Sequence, residues 1–374
     1  MQQSKGSRRI LKLLKQVVLV FIGLTSIMAL IMIHPQFGKR PSGKRLEQIK
    51  SSAQYRDGKF QNSSDTPQIT QSIGVALWDY LFGKSKESKP KVSIPSVDLD
   101  MKYLLQGDNR LVWLGHSSYF MKLDGKNILV DPVLSGSASP IPGGVKAFEG
   151  SDVLTVDALP LIDYLFISHD HYDHMDYKTL VALQHKVKKV IVGLGIGSHL
   201  EHWGYQEEQI IEKDWWDTIT LDNGFEVVVT PARHFSGRSI WTANTLWASF
   251  VLRTPSLNLY IGGDSGYDKH FKEIGDKYGP FDMAVLENGQ YDASWKYIHM
   301  MPEEVVKATK DLNAKVLFPV HSSKFVLANH AWYEPLDRVS KEAIKENQDI
   351  VTPMIGEVVE FQNLNSRPTY WWKK

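Results

Sequence analysis

Apolar and polar positions divide the chain into three regimes. The first is a basic start, with Lys5, Arg8, Arg9, Lys12 and Lys15, followed by the apolar run Val17 to Ile33, interrupted only by Gly23, Thr25 and Ser26. A spanning helix needs about 17–25 residues, so the run sits at the lower edge of that range. A cleaved signal peptide would have a shorter apolar core, about 7–15 residues, ending in a small-x-small site. Here the run ends Ile31-Met32-Ile33-His34-Pro35. The pattern predicts a retained single-pass membrane anchor over 1–34, with a cleaved signal as the competing reading. Basic residues also follow the run (Lys39, Arg40, Lys44, Arg45), but fewer than precede it. The positive-inside rule then puts the N-terminus in the cytoplasm and the bulk of the chain outside it.

Residues 35–100 read as a linker and N-terminal extension. Pro35, Gly38, Pro41 and Gly43 stop any helix continuing from the anchor. Ile73 to Phe82 predicts one short amphipathic helix, and Lys84 to Lys91 a polar, Lys-rich loop. From 101 to 374 short apolar runs alternate with helical stretches and turns. The runs are Leu111–Leu114, Ile128–Val130, Tyr164–Ile167, Val190–Val192, Glu226–Val229, Ser249–Leu252, Leu257–Ile261, Met283–Leu286 and Val316–Val320; Asp176–Gln184 and Pro302–Asp311 are helix-like. Many strands with interspersed helices predict one layered α/β domain over 101–374.

Composition narrows the chemistry. With 43 Lys+Arg against 42 Asp+Glu, the chain has no general electrostatic pull toward nucleic acid or anionic lipid. No basic aromatic stripe marks a nucleic-acid partner. The sequence contains no cysteine, which removes disulfides, thiolate nucleophiles and thiolate metal ligands together. Any metal must be held by His, Asp and Glu.

One segment offers such ligands at high density: Phe166-Ile167-Ser168-His169-Asp170-His171-Tyr172-Asp173-His174. An apolar strand ends and three histidines and two aspartates follow. The spacing lets His169 and His171 reach one ion, and Asp173 and His174 a second nearby; paired ions about 3.5–4 Å apart recur in hydrolytic sites. One segment cannot close two coordination shells. Three further strands each end near a ligand-type residue: Val227–Val229 before His234, Leu259–Ile261 before Asp264, and Val316–Val320 before His321. A strand-end histidine alone is commonly structural; together these supply what the first segment lacks.

The sequence resembles the metallo-β-lactamase-fold hydrolases. His169-Asp170-His171-Tyr172-Asp173-His174 matches their H-x-H-x-D-H motif, and His234, Asp264 and His321 fall at the later ligand positions in order. The resemblance implies an αββα sandwich. It also implies one ion on His169, His171 and His234, a second on Asp173, His174 and His321, and Asp264 bridging. Val112-Trp113-Leu114-Gly115-His116-Ser117-Ser118, Val130-Asp131-Pro132, Gly262-Gly263-Asp264-Ser265-Gly266-Tyr267 and Ile298-His299-Met300-Met301-Pro302-Glu303-Glu304 are similar to the N-acylphosphatidylethanolamine phospholipase D branch and its bacterial relatives. Ascorbate-6-phosphate lactonase relatives share parts of these.

The resemblance implies two divalent ions, zinc by ligand type with iron or manganese as alternatives, and a metal-bridging hydroxide attacking a phosphodiester of a membrane phospholipid. Asp264 and Asp173 carry the catalytic expectation. His299 is expected at the substrate or leaving group, or else as a helix-opening histidine. Asp170 is expected to orient a ligand, and His116 either to do so or to be structural. Gly262 and Gly263 are expected to permit close backbone approach beside Asp264. Trp215, Trp216, Trp241, Trp247, Tyr291 and Trp295 are candidates for a groove or for core. The ending Tyr370-Trp371-Trp372-Lys373-Lys374 reads either as an interfacial contact or as a docked tail. A lactonase or phosphodiesterase on a soluble substrate is the enzymatic alternative, and a non-catalytic metal-binding scaffold the alternative of another class. Oligomeric state stays open, a homodimer included.

Overall fold

The structure is a computed structural model that describes every residue except 1–2, 142, 239–241, 365 and 374; the side chains of 3–8, 24, 27–30, 73 and 80 also lie outside the description. The chain opens with α1 (Gln3–Met32) and α2 (Gly43–Ser51), then the small hairpin of β1 (Tyr55–Arg56) and β2 (Lys59–Phe60), α3 (Ile73–Phe82) and α4 (Met101–Gln106). The first layered half holds β3 (Arg110–Trp113), β4 (Tyr119–Leu123), β5 (Lys126–Val130), β6 (Ile162–Ile167), α5 (Tyr177–Leu183), β7 (Val187–Gly193), α6 (Gly197–His202) and β8 (Ile210–Lys213). The second holds β9 (Thr218–Thr220), β10 (Glu226–Thr230), β11 (Ser249–Arg253), β12 (Asn258–Ile261), α7 (His270–Tyr278), β13 (Phe281–Glu287), α8 (Pro302–Asp311), β14 (Ala314–Val320), α9 (Glu334–Lys345) and β15 (Asp349–Ile350). Last comes β16 (Val358–Glu360), which returns to the first sheet.

Two seven-stranded sheets result, in the orders β16-β3-β4-β5-β6-β7-β8 and β15-β14-β13-β12-β11-β10-β9. Each is antiparallel at one side and parallel where helices cross over. The period-2 side-chain alternation sorts each strand between two cores. Tyr164 and Phe166 of β6 face the space between the sheets, with Val229, Phe250 and Val285 of the other sheet. Leu165 and Ile167 face the opposite way, onto Leu180 and Leu183 of α5 and Leu200 of α6. Val228, Tyr260 and Leu317 do the same against Phe271, Val305 and Val339 of α7, α8 and α9. Helices therefore cover both outer faces, the αββα arrangement expected.

Several local signals explain the boundaries. Asp176 caps α5 by accepting from the Lys178 amide, and Pro302 opens α8, where Glu304 accepts from the Met301 amide. Strands β1, β2, β4, β8, β9, β15 and β16 were not foreseen in the hydrophobic pattern. Lys213 and Thr218 show why: β8 and β9 are short flanking strands, largely half-buried or exposed, with no continuous apolar run.

The structure gives no support to the expected membrane span. Among the described residues no helix is long and apolar enough to cross a membrane. The expected run Val17–Ile33 falls within and just beyond α1. The ending is also resolved between its two readings: Trp371 and Trp372 are buried, with Trp371 packed against Trp113 and Trp332, so the described tail is docked. Stretches of 35–100 touch the domain directly. Trp203 donates to the Pro35 carbonyl, Arg238 to that of Gln36, and the Lys39 amide to His199 Nδ1.

Candidate metal centre

Strand ends from both sheets build the site. After Ile167 closes β6, residues 168–174 turn across the sheet edge; β10 leads to His234, β12 to Asp264 and β14 to His321. β12, β13 and β14 are parallel, so their C-terminal ends share one edge. His116, in the turn between β3 and β4, and His321 both hold left-handed backbones, with φ of 53° and 66°. Their main chains bond each other, His116 N to Ser322 O at 3.0 Å and His321 N to His116 O at 2.9 Å, which ties the two sheets together under the site. Backbone strain held by such cross-bonding is a feature of functional sites.

All seven expected ligands converge. Asp264 lies at the centre, its Oδ2 3.1 Å from His174 Nε2, 3.8 Å from His169 Nε2 and 3.7 Å from His234 Nε2, and its Oδ1 3.2 Å from His321 Nδ1. On one side, His171 Nδ1 lies 2.9 Å from His169 Nε2 and 3.3 Å from His234 Nε2. On the other, Asp173 Oδ2 is 3.5 Å from His174 Nε2. Ligand-capable atoms of His169, His171 and His234 form one group, and those of His116, Asp173, His174 and His321 another.

Electrostatics favour a cation here. Burial pushes His169, His234 and His321 well below the ordinary imidazole value and His171 down to about 4, so these rings are neutral and their nitrogens free to bind metal. Burial also disfavours a charged His174, but Asp264, Asp173 and Asp131 outweigh it and lift His174 well above its usual value. Burial pushes the Asp264 carboxyl up to about 6 against the pull of His174. At the centre, His174 Nε2 and Asp264 Oδ1 are buried without a hydrogen-bond partner, a costly condition that a bound cation relieves. Neutral imidazoles, carboxylates and these orphaned atoms fit divalent ions of the zinc, iron or manganese kind.

A surrounding shell fixes the ligands. Asp131 accepts from the Ser168 amide at 2.8 Å and hydroxyl at 2.6 Å and lies 2.8 Å from His174 Nδ1. His116 Nε2 is 2.9 Å from Asp173 Oδ2, an orienting contact. His234 Nδ1 pairs with the Ile298 carbonyl at 2.9 Å. Asp170 is in none of the ligand groups, and its carboxylate accepts from the Gly237 amide and Thr245 hydroxyl and lies 3.3 Å from His199 Nε2, none of them a candidate ligand. His299 sits at the cleft, its Nδ1 4.0 Å from Asp264 Oδ2. A Cβ on Gly263 would lie 2.6 Å from the Ala248 carbonyl and 2.8 Å from Ser168 Cβ, which is the close approach expected beside Asp264.

Two residues escaped the sequence reading. Glu287 ends β13 fully buried, accepts from the Met300 amide at 2.7 Å and lies 3.3 Å from His299 Nδ1. Its signal was present, a charged residue closing an apolar strand as Asp264 and His321 do. Asn62, in the extension, carried no signal: its Oδ1 accepts from the His234 amide at 3.1 Å and its Nδ2 donates to the His234 carbonyl at 2.7 Å. Of the candidate groove aromatics, Trp295 lines the cleft. Trp215, Trp247 and Tyr291 are buried in packing, Trp216 stacks on Tyr278, and Trp241 lies outside the described residues. The cleft itself holds about 390 Å³ beside His171, Asp173, His234, Asp264, His299 and His321, and its remaining wall includes Ile69, Phe235, Trp295, Ile298 and Leu327.

An αββα sandwich with a His/Asp cluster on one sheet edge defines a class, the metal-dependent hydrolase fold. The chain belongs to the metallo-β-lactamase superfamily, residues 126–322 matching the family described as beta-lactamase superfamily domain. Among its relatives, an uncharacterised protein of Mycobacterium tuberculosis is 37% identical over 335 residues, 87% of this chain and 88% of the relative. An N-acyl-phosphatidylethanolamine-hydrolyzing phospholipase D of Caenorhabditis elegans is 30% identical over 268 residues, 66% of this chain and 74% of the relative. Igni18, a metallo hydrolase of the archaeon Ignicoccus hospitalis, shares the fold at a TM-score of 0.53 and 22% identity, over 67% of this chain and 97% of its own.

Proposed function

We propose that this protein is a two-metal phosphodiesterase that cleaves a membrane phospholipid of the N-acylphosphatidylethanolamine kind. The observation that carries the reading is the cleft: a largely apolar wall of Ile69, Phe235, Trp295, Ile298 and Leu327 adjoins the His/Asp cluster. An apolar wall suits a substrate with acyl chains, and the relative named a phospholipase D points to the bond cleaved.

His169, His171 and His234 would hold one ion, Asp173, His174 and His321 the other, with Asp264 between them. Divalent ions so held would supply Lewis acidity and an activated water nucleophile. Asp264, buried among imidazoles, is placed to take a proton from the attacking water. His299 lines the cleft and is placed to give a proton to the departing oxygen, with buried Glu287 holding its ring. His116, Asp131 and Asn62 keep Asp173, His174 and His234 in position. Exposed apolar side chains of α1, among them Leu14, Val18 and Phe21, together with Arg9, Lys12 and Lys15, support retention of the protein at a membrane.

The test is a substrate screen on purified full-length protein with its metal content measured. Cleavage of N-acylphosphatidylethanolamine between phosphate and ethanolamide, lost on chelation and in Asp264→Ala, is expected. Activity on an acyl-homoserine lactone alone would overturn the lipid reading in favour of a lactonase. Stoichiometric metal without any hydrolysis would favour the non-catalytic scaffold.

A further inference from the structure

The helix α3 does not behave as a helix of a water-facing surface. Val75, Leu77, Trp78, Leu81 and Phe82 are 48%, 56%, 65%, 57% and 66% exposed. At roughly 100° per residue these five positions fall on one continuous arc of the helix, about 160° wide. Trp78 and Phe82 pack against each other as a tilted ring pair, centroids 4.6 Å apart, on that exposed arc. Water-facing helices carry polar residues there, and an exposed apolar patch of this kind marks an interaction surface.

Both ends of the helix are fastened to the rim of the catalytic cleft. Before it, Thr70 N donates to the Ser294 carbonyl at 2.7 Å and the Thr70 hydroxyl to that of Ala293 at 2.8 Å. Ile69 and Trp295, flanking those contacts, line the cleft. After it, the Ser85 amide donates to the Asn329 carbonyl, and Glu87 accepts from the Tyr333 hydroxyl at 2.6 Å. The helix is thus an arch whose two feet stand beside the cleft, with its apolar arc turned outward. The loop that follows adds exposed Lys86, Lys89 and Lys91. An apolar arc with an interfacial tryptophan, bordered by lysines, is the chemistry of a helix lying in the headgroup region of an anionic bilayer.

We propose that α3 is a membrane-seating element that enters the interface of an anionic bilayer and thereby sets the mouth of the metal cleft against lipid headgroups. This seat is separate from α1 and stands whether or not the substrate is a phospholipid.

The chain has no cysteine, so a single probe can be placed without altering native thiols. Full-length Leu81→Cys carrying an environment-sensitive fluorophore is reconstituted into phosphatidylcholine vesicles with and without phosphatidylglycerol. Lys345→Cys, at the end of α9 away from the cleft edge, carries the same probe as control. The expected result is a blue shift and several-fold quenching of the Leu81 probe by lipids spin-labelled near the headgroup, with the control unaffected. Lys86→Glu with Lys89→Glu is expected to weaken that quenching on the anionic vesicles only. A Leu81 probe that matches the control on vesicles overturns the proposal. So does a blue shift in lipid-free detergent that grows with protein concentration, since that outcome assigns the arc to a second copy of the chain. Because no step measures hydrolysis, failure here is distinct from failure of the phospholipase reading.

Discussion

Asp264 stands within about 4 Å of His169, His174, His234, His299 and His321. Its replacement by alanine removes the shared carboxylate and leaves the imidazoles unbridged. The expected loss in metal affinity exceeds the 10–100-fold that follows from losing a merely supporting group, and metal analysis after dialysis reads it directly. Asn62 is such a supporting group. In Asn62→Ala both main-chain groups of His234 lose their partner, whereas Trp247 Nε1 keeps its bond to the Ala232 carbonyl. Metal affinity is expected to fall about 10–100-fold, with the melting curve changed far less than by a core substitution. An unchanged metal titration would show that Asn62 does not position His234. At this scale the sequence was legible where ligand types clustered. It was silent on Asn62, because an asparagine in a polar loop looks like any turn residue until the fold carries it to the site.

At the scale of elements, β6 governs the arrangement because it is buried on both faces and delivers the ligand turn. Phe166 meets Phe250 across the sheets, centroids 5.2 Å apart, edge to face. Phe166→Ala is expected to destabilise by about 3–5 kcal/mol, measured as a shift in denaturant midpoint with unchanged slope. Gly263→Ala acts differently. Its Cβ would press on the Ala248 carbonyl and on Ser168, next to His169. The expected outcome is loss of bound metal together with a lower melting temperature. Strands with apolar runs were legible from period-2 burial. Flanking strands β8 and β9 were not, since their stability comes from ladder bonds to neighbours rather than from their own apolar faces.

For the whole molecule, buried neutral histidines make stability depend on pH. His270 lies outside the ligand set, and burial pushes it down to about 3, with its Nε2 3.2 Å from the Ser265 hydroxyl. An unfolded histidine titrates near about 6.5, so below that pH the unfolded chain binds a proton that the folded chain refuses. The contribution of His270 is therefore present above about pH 6.5 and lost progressively as pH falls toward 3. Between pH 7 and pH 5, His270→Asn is expected to lose about 2 kcal/mol less stability than the parent protein, read from urea unfolding at both pH values. Equal losses would place the acid sensitivity elsewhere. Chelation is expected to lower stability as well, by about 2.7 kcal/mol where metal had been present at a hundredfold excess over its dissociation constant.

What the sequence by itself determined is the chemistry: a thiol-free chain, a dense His/Asp segment at a strand end, and three later strands ending near ligand-type residues. Those features are local, written in residue types and spacing, so they survive without coordinates. Only the tertiary structure decided which groups share the site. Asn62 and His234 are 172 positions apart, and His116 reaches Asp173 across 57. It also turned the apolar arc of α3 outward at the cleft rim and Trp371 inward against Trp113. Side-chain type sets what a group can do. The packing of two sheets, which depends on burial summed over the whole chain, sets what it does it to.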